Sequence, residues 1–236
     1  NIHIDTVTYA LAHNYKYIQL HSTEQSDLKG IIIPIFETRT GNQKYRFAID
    51  FGTTNTHIEY SVDNSQYSKP FDITESDCQI QKLHSIDKFS ITSVFNSDLI
   101  PDLIGGNSLY GYPMRTVLSE SRNTNWSKAV YTMGNVNIPF TYEKMKALPY
   151  NDLKTDLKWS IDENDQKRAL KYIESILLMI RTKVLLNHGD LAKTEIVWFY
   201  PASMTDDRYN TFSAEWNKCY RKLFGGSENN IVSMSE

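Results

Sequence analysis

Residues 47–58 read FAIDFGTTNTHI, and this stretch decides the fold. A strand-like run ends in a carboxylate, Asp50, and Gly52 then allows a tight bend without a clash at Cβ. Residues 53–55, two threonines and an asparagine, follow before the chain returns as a second strand. The backbone N–H groups of such a bend point inward and form an anion-binding hollow, and the threonine hydroxyls add donors. The pattern predicts a site for a polyphosphate.

Asp50 stands where it can hold a magnesium ion beside that bend. Mg²⁺ keeps most of its hydration shell, so a single carboxylate usually holds it through water. An ordinary hairpin turn is the alternative interpretation, because Gly and Asn are common in turns and Thr is common in strands. A two-residue hairpin, however, needs neither an acid at the strand end nor paired threonines.

The rest of the chain predicts a strand meander, an irregular middle, and then alternating helices and strands. Apolar runs rich in β-branched and aromatic residues predict strands at residues 31–37, 44–51, 56–62, 87–95, 195–200 and 230–234. Gly134 and Asn135 predict the turn of a hairpin over residues 128–142. The strand–helix–strand order at the end of the chain implies parallel pairing.

Two amphipathic helices are predicted in the last third of the chain. Ser160–Glu163 fits a capping box before the first, and Gly189 is a suitable stop. Its apolar face comprises Ala169, Ile173, Ile176, Leu177, Ile180 and Val184. The second helix begins after Thr205 and ends at Gly225. Its apolar stripe comprises Tyr209, Phe212, Trp216, Tyr220 and Leu223. We therefore expect one α/β domain over residues 1–236, with a variable insertion over about residues 63–150 and a helix–strand–helix segment over residues 151–236.

The segment IDFGTTNT, residues 49–56, resembles the first phosphate-binding loop of the actin and heat-shock chaperone ATPases, whose chaperone form reads very nearly IDLGTTNS. The resemblance implies a ribonuclease H-like mixed sheet flanked by helices, the first lobe of an actin-like ATPase domain, with ATP and Mg²⁺ as ligands. By the same resemblance Asp50 organises the magnesium waters. Gly52, Thr53, Thr54 and Asn55 contact the phosphates, with Thr54 nearest the γ-phosphate.

Two later segments are similar to the same family. Residues 196–203, IVWFYPAS, are similar to the chaperone strand that ends in VPAY, so Pro201 would relay the nucleotide state to a partner domain. A proline that simply ends a strand is the alternative. Residues 231–236, IVSMSE, are similar to the family's IINE stretch. Glu236 would then be a second catalytic acid beside Asp50, placing the metal waters and the attacking water.

The sequence departs from the family in three places. The family's phosphate-binding lysine is missing from residues 103–108, LIGGNS, and Arg115 is the nearest cation. Residues 1–30 precede the usual start. The second phosphate loop and the adenosine-binding glycines belong to a second lobe, and the sequence stops before both. We expect the second lobe of the same chain and a client protein as partners, and little activity from this lobe alone.

Composition narrows the function classes. The net charge is −3 without a basic run, which argues against a nucleic-acid partner. The longest apolar run is too short to span a membrane. Cys78 and Cys219 are interpreted as reduced thiols, which favours a cytoplasmic location. The six histidines are scattered and predict no zinc site.

Three hypotheses for function follow. The first is an ATP-driven conformational switch that hydrolyses ATP in the complete protein, similar to a heat-shock chaperone. The second is a degenerate, non-hydrolysing module for protein interaction or assembly. A sugar kinase is a weaker third, because no sugar-site pattern is found.

Overall fold

The structure is a computed structural model, and it describes residues 14–22, 24, 27, 29–35, 41–77, 79, 100–122, 124–140 and 151–236. The chain divides into two units, Asn1–Arg39 and Thr40–Glu236. In the first unit, strand β1 (Ile18–His21) pairs antiparallel with β2 (Lys29–Ile32) in a two-stranded sheet.

The second unit contains the remaining strands and both described α-helices. In chain order its strands are β3 (Tyr45–Phe51), β4 (Asn55–Val62), β5 (Lys69–Pro70), β6 (Met114–Arg115), β7 (Leu118–Ser121), β8 (Val136–Asn137), β9 (Asn151–Lys154), β10 (Glu195–Tyr200) and β11 (Ile231–Ser235). The helices are α1 (Glu163–Leu186) and α2 (Asp206–Phe224).

The main sheet has the order β11-β10-β3-β4-β5, and β6 also pairs with β4. Strands β3, β10 and β11 are parallel, whereas β4 is antiparallel to β3 and to β5. A hairpin-connected meander on one side and two parallel strands on the other is the ribonuclease H-like order. The predicted mixed sheet flanked by helices is therefore confirmed.

Both α-helices pack on one face of this sheet. The ring of Phe51 lies 5.5 Å from that of Tyr172 on α1 and 5.8 Å from that of Phe212 on α2. Trp198 stacks on Trp216 at 5.6 Å. Side chains along β3 point alternately to the two faces of the sheet, and every second one is buried on this face. These buried residues pack against the apolar stripes predicted for the two helices. All six predicted apolar residues of α1 are buried.

The helix boundaries differ slightly from the prediction. The N-cap of α1 is Asp162 and not Ser160, because the Asp162 carboxylate accepts from the backbone N–H groups of Asn164 and Asp165. Ser160 instead donates its hydroxyl to the Asp165 side chain. Helix α2 follows Thr205 and ends at Gly225 in the left-handed conformation, as predicted.

Two predictions gave the wrong pairing partner for a strand. The predicted strand at residues 31–37 would lead the meander, but only its first two residues lie in β2, which pairs with β1 in the other unit. The predicted hairpin over residues 128–142 does not form in the described part of that range, because β8 pairs with β7 in a separate β8-β7-β9 sheet. The strand predicted at residues 87–95 lies outside the described residues.

Cys219 is a free, buried thiol on α2. Burial raises its pKa to about 11, and the carboxylates of Glu174 and Glu215 act in the same direction, so the group remains a neutral thiol. Cys78 lies outside the described residues. Neither described α-helix combines the length and the apolar character needed to cross a membrane.

Candidate functional site

The predicted phosphate loop, residues 52–55, lies at the carboxyl end of β3. Asp50 is exposed near the end of that strand, and Thr53, Thr54 and Asn55 are exposed in the bend and at its end. Because β10 and β11 run parallel to β3, their carboxyl ends meet at the same margin of the sheet. We call this margin, together with residues 52–55, the carboxyl edge.

The loop is held through its carbonyl groups. The Gly52 carbonyl accepts from the Thr116 hydroxyl at 2.8 Å, and the Thr54 carbonyl accepts from the Thr116 backbone N–H at 2.8 Å. The backbone N–H groups of Thr53 and Thr54 have no hydrogen-bond acceptor in the part of the chain that the structure describes. The bend is thus fixed while two of its donors stay available.

A row of hydroxyl groups connects α1 to this loop. The Tyr172 hydroxyl donates to Thr56 at 3.0 Å, and the hydroxyls of Thr56 and Thr116 lie 2.8 Å apart. Burial raises the pKa of Tyr172 to about 12, so its hydroxyl stays protonated and can donate. Since Thr116 in turn donates to Gly52, the row orients the loop from the helix.

Gly52 is required by close packing and not by a left-handed backbone. A Cβ placed there would clash with the carbonyl oxygen of Asn55. The Asn55 carbonyl oxygen therefore occupies the space that a side chain at position 52 would need. This agrees with the reason for which the sequence predicted a glycine at the bend.

The segment before α1 covers one side of the loop. The indole Nε1–H of Trp159 donates to the Thr53 hydroxyl at 2.6 Å. The Arg208 guanidinium lies 5.8 Å from the Trp159 ring and donates to the carbonyl oxygens of Lys158 and Ser160 at 2.8 and 2.6 Å. The Trp159 ring thus forms an aromatic wall along one side of the loop, and Arg208 of α2 holds this wall in place.

Lys158 lies within this wall. Its side chain is buried, and its Nζ is 5.8 Å from the centre of the Phe51 ring. Burial lowers the pKa of Lys158, whereas the charges of Glu236 and Asp50 act in the opposite direction. Sequence reasoning missed this residue, because nothing in its local pattern shows that it lies beside a loop about a hundred positions earlier.

The other two predicted site residues end the parallel strands. Phe199 of β10 pairs with Asp50 on one side and with Met234 on the other. The Glu236 backbone N–H donates to the Tyr200 carbonyl at 2.9 Å, and Pro201 follows directly. Met234 is level with Asp50, and Glu236 lies two residues further along. With strands about 4.8 Å apart and a rise of about 3.3 Å per residue, the backbones at Asp50 and Glu236 are separated by roughly 12 Å.

The carboxyl edge fits a magnesium ion only through water. Asp50 and Glu236 are both exposed carboxylates at this edge. The described residues contain no cluster of three or more His, Cys, Asp or Glu side chains that could enclose a metal directly. Mg²⁺ is commonly bound through one or two carboxylates together with substrate phosphates, so this donor set is compatible with a metal brought by a nucleotide.

A cavity of about 210 Å³ lies between the two helices, lined in part by Leu170, Asp207 and Thr211. It also touches Arg208, but no residue of the phosphate loop lines it. The loop therefore opens onto the edge of the sheet and not into this cavity.

The structure brings all the predicted site residues to one edge. It also places Arg115, the nearest cation in the sequence analysis, opposite Asn55 in the β4–β6 ladder. Residues that the sequence did not indicate are Thr116, Lys158 and Trp159. Each of them reaches the loop only through tertiary packing.

Comparison with known proteins adds little to this geometry. No protein-family model matches the chain, and no curated protein matches its sequence. One solved structure that it resembles is the crystal structure of MreB5 of Spiroplasma citri bound to ADP, with 11% identity and a TM-score of 0.33. The match covers 81% of this chain and 38% of that chain. The TM-score is too low for this likeness to support a conclusion about fold or function.

Proposed function

We propose that residues 40–236 are the first lobe of an actin-like ATPase domain and bind the polyphosphate of ATP, with Mg²⁺, at the carboxyl edge. One observation carries this proposal. Thr116 engages the carbonyl groups of the bend, while the N–H groups of Thr53 and Thr54 have no acceptor among the described residues. Adjacent free N–H groups in a fixed bend form an anion site.

Each residue of the edge has a defined task in this proposal. Gly52 keeps the bend tight, and Thr53, Thr54 and Asn55 supply donors to the phosphates. The Thr53 hydroxyl accepts from Trp159, which leaves its proton to be donated outward. The exposed Asp50 carboxylate orients the waters of a magnesium ion.

Turnover would require a water beside the terminal phosphate, and Glu236 is the acid placed to orient it. Bound Mg²⁺ would neutralise charge on the transferred phosphoryl group. We infer that a second lobe closes over the edge and supplies the adenosine site, since Asp50, residues 53–55 and Glu236 are exposed. Pro201, directly after β10, is then positioned to pass the nucleotide state to a partner domain, as in a chaperone-like switch in the cytoplasm acting on a protein client.

The test is equilibrium dialysis with Mg–ATP on the longest form of the protein that contains this chain. Asp50→Ala should weaken binding roughly tenfold or more, because a charged partner of the metal waters is lost. Asp152→Ala is the matched control, since Asp152 is a half-exposed acid paired with Arg122 away from the loop. Equal affinity of the wild type and Asp50→Ala would contradict the site.

A further inference from the structure

One lysine side chain at the carboxyl edge is almost fully shielded from solvent and has no ion-pair partner among the described residues. Lys158 is 3% exposed. Its Nζ makes no hydrogen bond and no ion pair within 4 Å with any residue that the structure describes. The Nζ atom itself is not fully enclosed, so an anion can reach it. An ion pair formed by a side chain with so little exposure is screened much less by water than one on the surface.

The backbone around Lys158 is fixed on both sides. Trp159, the next residue, is bonded to Thr53 in the loop. Arg208 holds the backbone carbonyls of Lys158 itself and of Ser160. Phe51, whose ring lies under the ammonium group, directly precedes Gly52. Lys158 is therefore anchored beside the same bend whose Thr53 and Thr54 N–H groups lack an acceptor within the described ranges.

The local charges also favour an anion that carries a metal. The carboxylates of Asp50 and Glu236 act on Lys158, but neither approaches it as a direct ion pair. If Asp50 and Glu236 bound a magnesium ion through water, the Lys158 ammonium group would remain available to a phosphate oxygen. A Lys ammonium is a compact point charge with three donors and a common phosphate ligand.

We propose that Lys158 binds a terminal phosphate oxygen of the polyphosphate held by residues 52–55. This inference rests on the proposed function and supplies the cation that residues 103–108 lack. Arg115 is the other cation beside the loop, but it is exposed and lies opposite Asn55 on β6. Lys158 is favoured because its side chain is shielded from solvent, its backbone is held by Arg208, and it has no ion-pair partner in the described part of the chain.

The experiment uses the indole resonances of the longest ¹⁵N-labelled form of the protein that contains this chain, with Trp159 assigned from Trp159→Phe. Mg–ATP and magnesium pyrophosphate should both shift the Trp159 indole signal, because this group is bonded to Thr53, whereas adenosine should not. In Lys158→Met the apparent affinity for Mg–ATP should fall roughly 10- to 100-fold. Lys158→Arg should retain more of the affinity than Lys158→Met.

Lys193→Met is the matched control, because Lys193 is an exposed lysine paired with Asp190 at the far end of the sheet. Its affinity for Mg–ATP should equal that of the wild type. The Trp198 and Trp216 indole signals report whether each variant is folded. A second measurement on the wild type covers the case in which a variant does not fold. Adding magnesium pyrophosphate should change the chemical shift of the Lys158 ¹³Cε signal and leave that of Lys193 unchanged.

The outcomes separate the two proposals. If the wild type binds Mg–ATP and Lys158→Met binds it equally well, the role of Lys158 is overturned and the site stands. If neither ATP nor pyrophosphate shifts the Trp159 signal of the wild type, the proposed function is overturned and this inference with it.

Discussion

Two buried lysines lie near opposite ends of β3, and their surroundings differ. Lys183, in the last turns of α1, forms ion pairs with Asp77 and with Asp72, the latter at 3.1 Å. Asn187 and Tyr60 add hydrogen bonds to the same two carboxylates. We call this group, Asp72, Asp77, Lys183, Asn187 and Tyr60, the amino-end cluster. Lys158, at the carboxyl edge, has no such partner among the residues that the structure describes.

Lys183 carries a buried charge that stabilises the fold, whereas the charge of Lys158 is available to a ligand. The amino-end cluster joins the segment after β5 to the end of α1, and its polar groups satisfy one another. At the carboxyl edge, the loop N–H groups and one ammonium group remain unsatisfied within the described residues. Donors that the described part of the protein does not use are available to a ligand.

The largest expected effect is on stability at the amino-end cluster. Asp77→Ala should lower the free energy of unfolding by about 3–5 kcal/mol, because it leaves a buried ammonium group without its nearest partner. Lys158→Met should change it by less than about 1 kcal/mol or raise it, since no ion pair is lost. Urea unfolding followed by circular dichroism measures both. Similar losses for the two variants would erase the distinction between the lysines.

A second comparison concerns two glycines. Gly52→Ala should destabilise the protein by about 1–3 kcal/mol and weaken nucleotide binding, because its Cβ would clash with the Asn55 carbonyl oxygen. Gly111→Ala is the control, since a Cβ there meets no atom within 4 Å, and its effect should stay within about 0.5 kcal/mol. Thermal unfolding of both variants decides the matter. A neutral Gly52→Ala would mean that the bend is looser than described.

Acid should affect the amino-end cluster through its two carboxyl groups. Burial alone would raise the pKa of Asp77, but hydrogen bonds from Lys183 and Thr74 outweigh it and hold that pKa below the ordinary value. The pKa of Asp72 is lowered against burial by Tyr60, Lys69 and Lys183. A lowered folded-state pKa contributes stability above the unfolded-state pKa and loses it as the pH falls through the folded value.

We therefore expect the free energy of unfolding to decline as the pH falls from about 4 towards 2. The decline should be smaller in the double variant Asp77→Asn, Lys183→Met, which removes the pair. Urea titrations at successive pH values measure the slope. An unchanged slope in the double variant would assign the acid sensitivity to other carboxylates.

The smallest effect concerns the wall of the carboxyl edge. Trp159→Phe removes one hydrogen bond to Thr53 and keeps an aromatic ring beside Arg208. The loss of stability should be about 0.5–1.5 kcal/mol, the usual net value of one hydrogen bond. Differential scanning calorimetry can resolve it. A loss well above that range would show that the wall also supports the core.

Much of the fold could be predicted because its signals are local. The buried stripe of α1 repeats at helical spacing, and the strand–bend–strand pattern around Gly52 contains its own turn chemistry. The pairing partners of the strands were harder to predict. The run at residues 31–37 indicates a strand but not which strand it meets, and β8 pairs with β7, which lies before the predicted hairpin begins.

The candidate site was predictable only in part for the same reason. Asp50 and residues 52–55 are adjacent in sequence, so their pattern could be recognised directly. Lys158 and Trp159 arrive at the loop because α1 packs its first turns against β3 and β4, through contacts such as that of Tyr172 with Thr56. No short-range pattern encodes such a contact between distant segments.

The most direct measurement of the central idea is paramagnetic broadening by Mn²⁺ carried on ATP in excess. If the carboxyl edge holds the metal–polyphosphate group, the amide signals of Thr53 and Thr54 and the Trp159 indole signal should broaden first. The Gln43 signal, about 20 Å away along the strand direction of β3, should remain sharp. The Lys183 amide signal should remain sharp as well, because Lys183 lies about 16 Å along α1 from Tyr172, which contacts the segment after the loop. Broadening that is absent from the loop, or equally strong at both ends of the strand, would contradict the assignment of the carboxyl edge as the nucleotide site.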